Sequence, residues 1–175
     1  MNTLQSKKQK VEAVAKRREV FFDTLRRAAE AEHHLGKCGV HIALLIDNGK
    51  IREKFYKFVD SAKVAEEELY NIFKREGYDF RIKSYCEFCR LKPESFSLEG
   101  AINLSVEIIE VTIKCYRKLI RFADKKNRSL FTKFLKEKLR HRNALIKEKH
   151  FNHNKGKGGV IEDFCLPYVI SKLWR

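Results

Sequence analysis

The sequence predicts an all-α fold, a bundle of four helices arranged as two pairs that a long crossover joins. Three observations favour this fold. The 175 residues include only two prolines and eight glycines, too few for a turn-rich β fold. Four long segments repeat apolar residues at helical spacing. A hydrophobic fraction of 43%, with 13 phenylalanines, can fill one core in a chain of this length.

The first predicted helix spans residues 3–31 and continues to about Ile46. Apolar residues recur every three or four positions, and lysine and arginine crowd the remaining ones. Gly36 and Gly39 weaken the helix, so we expect either a break or a close helix–helix approach near them. Residues 47–49 (Asp-Asn-Gly) form a turn.

The second predicted helix spans residues 51–75 and carries one apolar stripe, and Gly77 is its natural C-terminal stop. Residues 78–96 then form a long connection. A connection of this length between helix pairs indicates a crossover rather than a tight hairpin.

The third predicted helix spans residues 98–124, with Ser97 as its N-cap. Residues 125–127 (Lys-Lys-Asn) break the apolar pattern. Ser129 then caps a fourth helix that extends to about His150.

These elements divide the chain into three parts. Residues 1–24 are a basic helical extension, and residues 25–151 are the four-helix bundle. Residues 152–175 are a basic linker followed by a docked C-terminal segment, a short helix interrupted at Pro167.

Composition also indicates the cellular location of the protein. No apolar run approaches the ~18 residues of a membrane-spanning helix, so we expect no membrane partner. The lysine-rich N-terminus lacks the apolar stretch of a secretory signal. The five cysteines are odd in number and irregularly spaced, unlike a disulfide framework, so the sequence predicts a reducing, cytoplasmic location.

The second helix pair resembles the rubrerythrin-like branch of the ferritin-like superfamily. The matching stretch is residues 97–148, where an apolar helix that carries Tyr116 is followed by a second helix. The family's pattern on that second helix is F-x-x-L-A-x-x-E-x-x-H, and residues 131–141 read F-x-x-F-L-x-x-K-x-x-H. The first pair repeats this spacing, so the resemblance covers about residues 25–150. It implies a ferritin-like four-helix bundle.

The resemblance also implies ligands for two iron ions, from glutamates and two Glu-x-x-His pairs on inward helix faces. The corresponding positions are His34, Ala62, Ala65, Ile109, Lys138 and His141. Only His141 keeps the family's ligand type, and an ammonium offers no lone pair to a metal. We therefore expect no diiron site and no cofactor. A shift in register would instead favour an iron or zinc site with the fallback ligands Glu110, Glu137 and His141.

Lys138 shares its predicted helix face with apolar core residues. If it points inward, it needs a carboxylate partner to offset the cost of desolvation. Glu107 and Glu110 on the third helix are the candidates. Such a pair would replace the metal as the polar centre of the bundle.

Cys86 and Cys89 form a Cys-x-x-Cys motif in the long connection. Zinc ribbons need a second such pair, which the sequence lacks. The motif could be a redox pair, half of a zinc site, or two incidental thiols.

Residues 114–158 contain 16 lysines and arginines and three acids, and so account for 13 of the 15 net positive charges. Such a field attracts polyanions, and nucleic acid or a ribonucleoprotein is the expected partner. The alternative is a solvated basic surface with no partner. The candidate anion-binding residues are Lys133, Lys136, Arg140, Arg142, Lys147, Lys149, Lys155 and Lys157.

Arg142 and His150 resemble the R-x(4–6)-H motif of HEPN ribonucleases, although seven residues separate them here. The resemblance implies a shared dimeric site for RNA cleavage. The sequence thus leaves three hypotheses. The first is a non-enzymatic binding or assembly module of ferritin-like type, which by analogy would form a homodimer. The others are a metal-binding rubrerythrin-like protein and a HEPN-like ribonuclease.

Overall fold

The computed structural model describes residues 2–46, 48–78, 80, 82 and 98–153, with the backbone alone at 2–8, 10, 45 and 150–153. These residues form four α-helices: α1 (Asn2–Leu45), α2 (Gly49–Arg75), α3 (Leu98–Phe122) and α4 (Lys125–His153). No strand occurs among the described residues. The prediction of an all-α architecture with four helices is confirmed for this part of the chain.

α1 runs for 44 residues without a break. Of the two outcomes predicted near its glycines, the structure shows the close approach. A Cβ atom placed on Gly39 would lie 2.6 Å from Cγ2 of Val59 on α2. No side chain fits in that space, so glycine allows α1 and α2 to pack closely there.

A side-chain cap at the start and a glycine after the end define the limits of α2. The Asn48 side chain accepts hydrogen bonds from the backbone N–H groups of Lys50 and Ile51, at 3.1 and 3.2 Å, and so caps the start of the helix. α2 ends at Arg75, and Gly77 has a φ of 76°, a conformation that glycine adopts without strain. The predicted stop at Gly77 is confirmed.

The prediction for the start of the fourth helix is wrong. α4 begins at Lys125 rather than after Ser129, and α3 ends at Phe122. The Asp124 carboxylate accepts a hydrogen bond of 2.7 Å from the Asn127 backbone N–H, which satisfies a donor of the first helical turn. The polar residues after Asp124 therefore belong to the helix and do not interrupt it.

Contacts with α1 establish the directions of the helices. Arg18 forms a 3.1 Å ion pair with Glu76, just beyond the end of α2. Arg17 donates a 3.4 Å hydrogen bond to the backbone carbonyl of Arg121, in the last turn of α3. α2 and α3 thus end at the same end of the bundle and run parallel. The end of α2 and the start of α3 therefore lie at opposite ends of the bundle.

α1 packs along α2 and α3, and α3 packs along α4, whereas α2 and α4 approach each other at few points. α1 and α4 therefore lie diagonally across the bundle. The core has two apolar halves, one around Phe55 and Ile102 and the other around Tyr116 and Phe131. Within the described residues, no helix combines the length and the apolar sequence that crossing a membrane requires.

The first part of α1 extends beyond the ends of α2 and α3. Side chains from Val11 to Glu19 are exposed, and Val11 and Val14 are each 68% exposed. Buried positions begin at Thr24 and Leu25. The predicted linker and C-terminal segment lie outside the described residues, except for the last turn of α4.

Candidate functional site

A charged pair lies between the two apolar halves of the core. The Lys138 ammonium on α4 is 2.5 Å from Oε2 of Glu32 on α1, and both side chains are 0% exposed. The two residues reach each other across the diagonal of the bundle. An ion in such surroundings is tolerated only with a close partner of opposite charge.

Tyr116 on α3 completes this polar centre. Its hydroxyl donates a 2.7 Å hydrogen bond to Oε1 of Glu32, whereas Oε2 contacts the Lys138 ammonium as an ion pair whose orientation is not that of a hydrogen bond. Burial raises the pKa of Glu32, and Lys138 and Tyr116 oppose that shift by favouring the carboxylate. Burial and the neighbouring carboxylate raise the pKa of Tyr116 well above its ordinary value, which keeps the phenol protonated.

His141 lies one turn after Lys138 on α4, and its ring centroid is 4.5 Å from that of Phe58 on α2. Burial, and next the charge of Lys138, lower the pKa of His141 to about 4. Its Nδ1 atom is buried and has no hydrogen-bond partner among the described residues. A neutral imidazole therefore lies on the α2 side of the polar centre.

The expected partner of Lys138 is wrong, although the expectation of a carboxylate is right. The structure pairs Lys138 with Glu32 rather than with Glu107 or Glu110. Glu110 is held by Arg142, whose Nη1 atom lies 2.8 Å from its Oε1 atom. That ion pair occupies its carboxylate.

The residues of the predicted metal centre do not fit two iron ions. Ala62, Ala65 and Ile109 are buried and carry no ligand atom, and Lys138 places an ammonium at the centre. His34 is half-buried beside His33, which bonds to Glu66 at 2.9 Å.

The fallback ligands do not form a metal site either. Glu110 bonds to Arg142, whereas Glu137 lines a groove on α4. In the described part of the chain, no three His, Cys, Asp or Glu residues are placed to hold a metal ion.

The sequence analysis did not identify Glu32 as a site residue, although the spacing of the core positions in α1 indicates that it is buried. Leu25, Glu32, Gly39 and Ile46 recur every seven residues, and Glu32 occupies a core position of α1. An acid at a core position needs a buried cation, and Lys138 is such a residue.

The outer face of α4 forms the second polar feature. An open groove of about 730 Å³ runs along this helix. Its described lining residues are Lys125, Arg128, Ser129, Thr132, Lys133, Lys136, Glu137 and Arg140. We call this surface the basic groove. It has five cations and one acid, all five cations are exposed, and none forms an ion pair with an acid of the described residues.

The predicted anion-binding residues divide between different environments. Lys133, Lys136 and Arg140 lie together in the basic groove. Arg142 bonds to Glu110, and Lys149 is 3.6 Å from Glu99.

Lys147 is exposed near the end of α4. The remaining candidates, Lys155 and Lys157, lie outside the described residues, as do Cys86 and Cys89. The side chain of His150, the second residue of the ribonuclease hypothesis, is also outside them, whereas its partner Arg142 bonds to Glu110.

No protein-family model, curated protein or solved structure matches this chain. The ferritin-like resemblance therefore stays a prediction from the sequence pattern.

Proposed function

We propose that this protein is a non-enzymatic bundle of ferritin-like type that has lost its diiron site and binds an anionic partner, with nucleic acid as the candidate, through the basic groove. The observation that carries the proposal is the cluster of five exposed, unneutralised cations on one face of α4. Clustered cations attract a polyanion and release its counterions on binding.

The ferritin-like part of the proposal is supported by the topology and by the polar centre. Two antiparallel helix pairs joined by one long crossover are the arrangement of ferritin-like bundles. Lys138 stands at a position where the resemblance implies a metal-binding glutamate, and the charge of its ammonium is balanced by Glu32. An internal ion pair would thus replace the metal as the polar group that links the helices at the centre of the bundle.

Elemental analysis of the untagged protein, expressed with iron and zinc available, tests the lost metal site. We expect no stoichiometric metal, because Lys138 repels a cation from the centre. About two irons per chain, the number that a diiron site holds, would overturn this part of the proposal.

Binding to labelled nucleic acid, measured by fluorescence anisotropy, tests the groove. The variant Lys133→Gln/Lys136→Gln removes two groove charges. Release of about 0.9 counterion per contact predicts roughly 60-fold weaker binding to a duplex at about 0.1 M salt. The matched control Lys37→Gln/Lys63→Gln removes two exposed charges from α1 and α2 and should leave affinity nearly unchanged. Equal losses in the two variants would contradict a role for the groove.

A further inference from the structure

The cations of the basic groove lie along one continuous helix. Lys125 and Arg140 are separated by four turns of α4, a distance of about 22 Å at 1.5 Å per residue. Lys133 and Lys136 lie between them, so the positive charge forms a row rather than a point. A row of this kind fits a polyanion whose long axis is stiff and straight over the same length.

Further cations lie at the end of the bundle where α4 begins. Arg121 is exposed in the last turn of α3, and Arg17 of α1 bonds to its carbonyl. The Arg17 guanidinium also lies over the Phe122 ring, 5.6 Å from its centroid. This end of the bundle therefore carries positive charge in addition to that of the groove.

The groove offers hydrogen-bond donors but no aromatic surface. Ser129 places a hydroxyl among the cations, a group that donates to phosphate oxygens, whereas the Thr132 hydroxyl donates a 2.8 Å hydrogen bond to the backbone carbonyl of Arg128. The nearby aromatic residues Phe131 and Phe134 are 0% and 2% exposed and belong to the core. Among the described residues, the groove therefore has nothing on which an unpaired base could stack, although stacking is the usual means of holding single strands.

A double-stranded partner matches both properties. A duplex is straight over this length, since its persistence length is about 50 nm, and it presents one negative charge per ~1.7 Å of axis. A single strand would have to be ordered against the row, and its bases would gain no contact in return. Backbone contacts alone are enough for binding that does not depend on base sequence.

We propose that the partner of the basic groove is double-stranded nucleic acid, held through its phosphates by the cations and the Ser129 hydroxyl of α4 without contact to the bases. This inference rests on the proposed function and specifies the partner of that same site. It predicts an affinity that depends strongly on salt and weakly on sequence.

Competition between defined probes tests the proposal on the full chain. The labelled probe is a DNA duplex of about 20 base pairs, longer than the roughly seven that the groove spans at 3.4 Å per base pair. The competitors are the same duplex, an RNA duplex, a duplex of permuted sequence and each single strand. We expect either duplex to compete at least tenfold better than the single strands, and the permuted duplex to compete equally with its parent.

Salt dependence gives a second readout. Five phosphate contacts predict a slope of about −4.5 in log K against log salt, and hence about 500-fold weaker duplex binding at 200 mM than at 50 mM. Lys133→Gln/Lys136→Gln should lower that slope by about 1.8, and Lys37→Gln/Lys63→Gln should leave it unchanged.

The outcomes separate the two proposals. Single strands that compete as well as the duplex, with binding still lost in Lys133→Gln/Lys136→Gln, would overturn the duplex inference and leave the polyanion-binding function intact. Duplex binding that both double variants weaken equally would overturn both. Preference for the DNA or for the RNA duplex would identify which double strand the groove takes.

Discussion

The inner and outer faces of α4 place lysine side chains in opposite environments, one buried and one exposed. On the inner face, Lys138 is completely buried and lies 2.5 Å from the buried Glu32. On the outer face, the exposed Lys133 and Lys136 have no acid within ion-pair distance among the described residues. A buried charge must be neutralised within the fold, whereas an exposed charge remains available to a partner. The inner face should therefore control stability, and the outer face should control binding.

The largest expected effect follows from removing the counter-charge on the inner face. Glu32→Gln leaves Lys138 buried without a carboxylate, and it should lower the free energy of unfolding by about 3–5 kcal/mol. Chemical denaturation followed by circular dichroism measures this change. Glu30→Gln, two residues away and partly exposed, is the control and should cost well under half as much.

A second variant tests the cost of the unpaired buried charge even if Glu32→Gln fails to fold. Replacing both charges together with the hydroxyl that bonds to Glu32, as Glu32→Leu/Tyr116→Phe/Lys138→Met, removes the cost of desolvation and leaves no buried donor without an acceptor, so stability should return to the wild-type level or exceed it. If this triple variant were as unstable as Glu32→Gln, a lone buried charge would not be the cause.

The next effect depends on pH. The pKa of His141 is lowered to about 4 by burial and then by Lys138, against about 6.5 in the unfolded chain. Between these values the unfolded state binds a proton that the folded state does not, so stability decreases as pH falls from 6.5 to 4. This loss should be at most about 3 kcal/mol, and nearer 2 because the ring is partly exposed.

Urea titrations at several pH values between neutrality and pH 4 measure this dependence. His141→Gln removes the titrating group, so its stability should vary less with pH than that of the wild type, whatever its stability at neutral pH. Parallel curves for the two proteins would mean that His141 is not protected from protonation.

A smaller effect is expected at the hydroxyl of Tyr116. Tyr116→Phe removes the donor to Glu32 and leaves one carboxylate oxygen without a partner, at a cost of roughly 1–2 kcal/mol. Tyr56→Phe, on the exposed side of α2, is the control and should be nearly neutral. The same thermal or chemical denaturation measures both variants, and equal costs would argue against the hydrogen bond.

The smallest effect on stability should come from the outer face. Lys133→Gln/Lys136→Gln should change the free energy of unfolding by less than about 0.5 kcal/mol, because both side chains are exposed. The same variant should lose most of its affinity for nucleic acid. A large loss of stability in this variant would mean that the outer face also controls stability, contrary to the comparison of the two faces.

The four helices could be predicted from the sequence because each buries an apolar stripe, and stripe spacing is a local property. Helix ends were less predictable. Asp124 and Ser129 are both good N-caps by type, and the choice of Asp124 depends on its hydrogen bond to Asn127. The need of Lys138 for a buried acid also follows from sequence, since a charge among core positions cannot remain unpaired.

The identity of that acid was decided only by the tertiary structure. Glu110 is closer to Lys138 in sequence, on the adjacent helix, but it faces Arg142, whereas Glu32 reaches Lys138 from the opposite corner of the bundle. The rotation of each helix about its axis selects between these partners, and that rotation follows from the packing of all four helices. By itself the sequence determined an excess of positive charge, and the fold separated it into one buried lysine and an exposed row along α4.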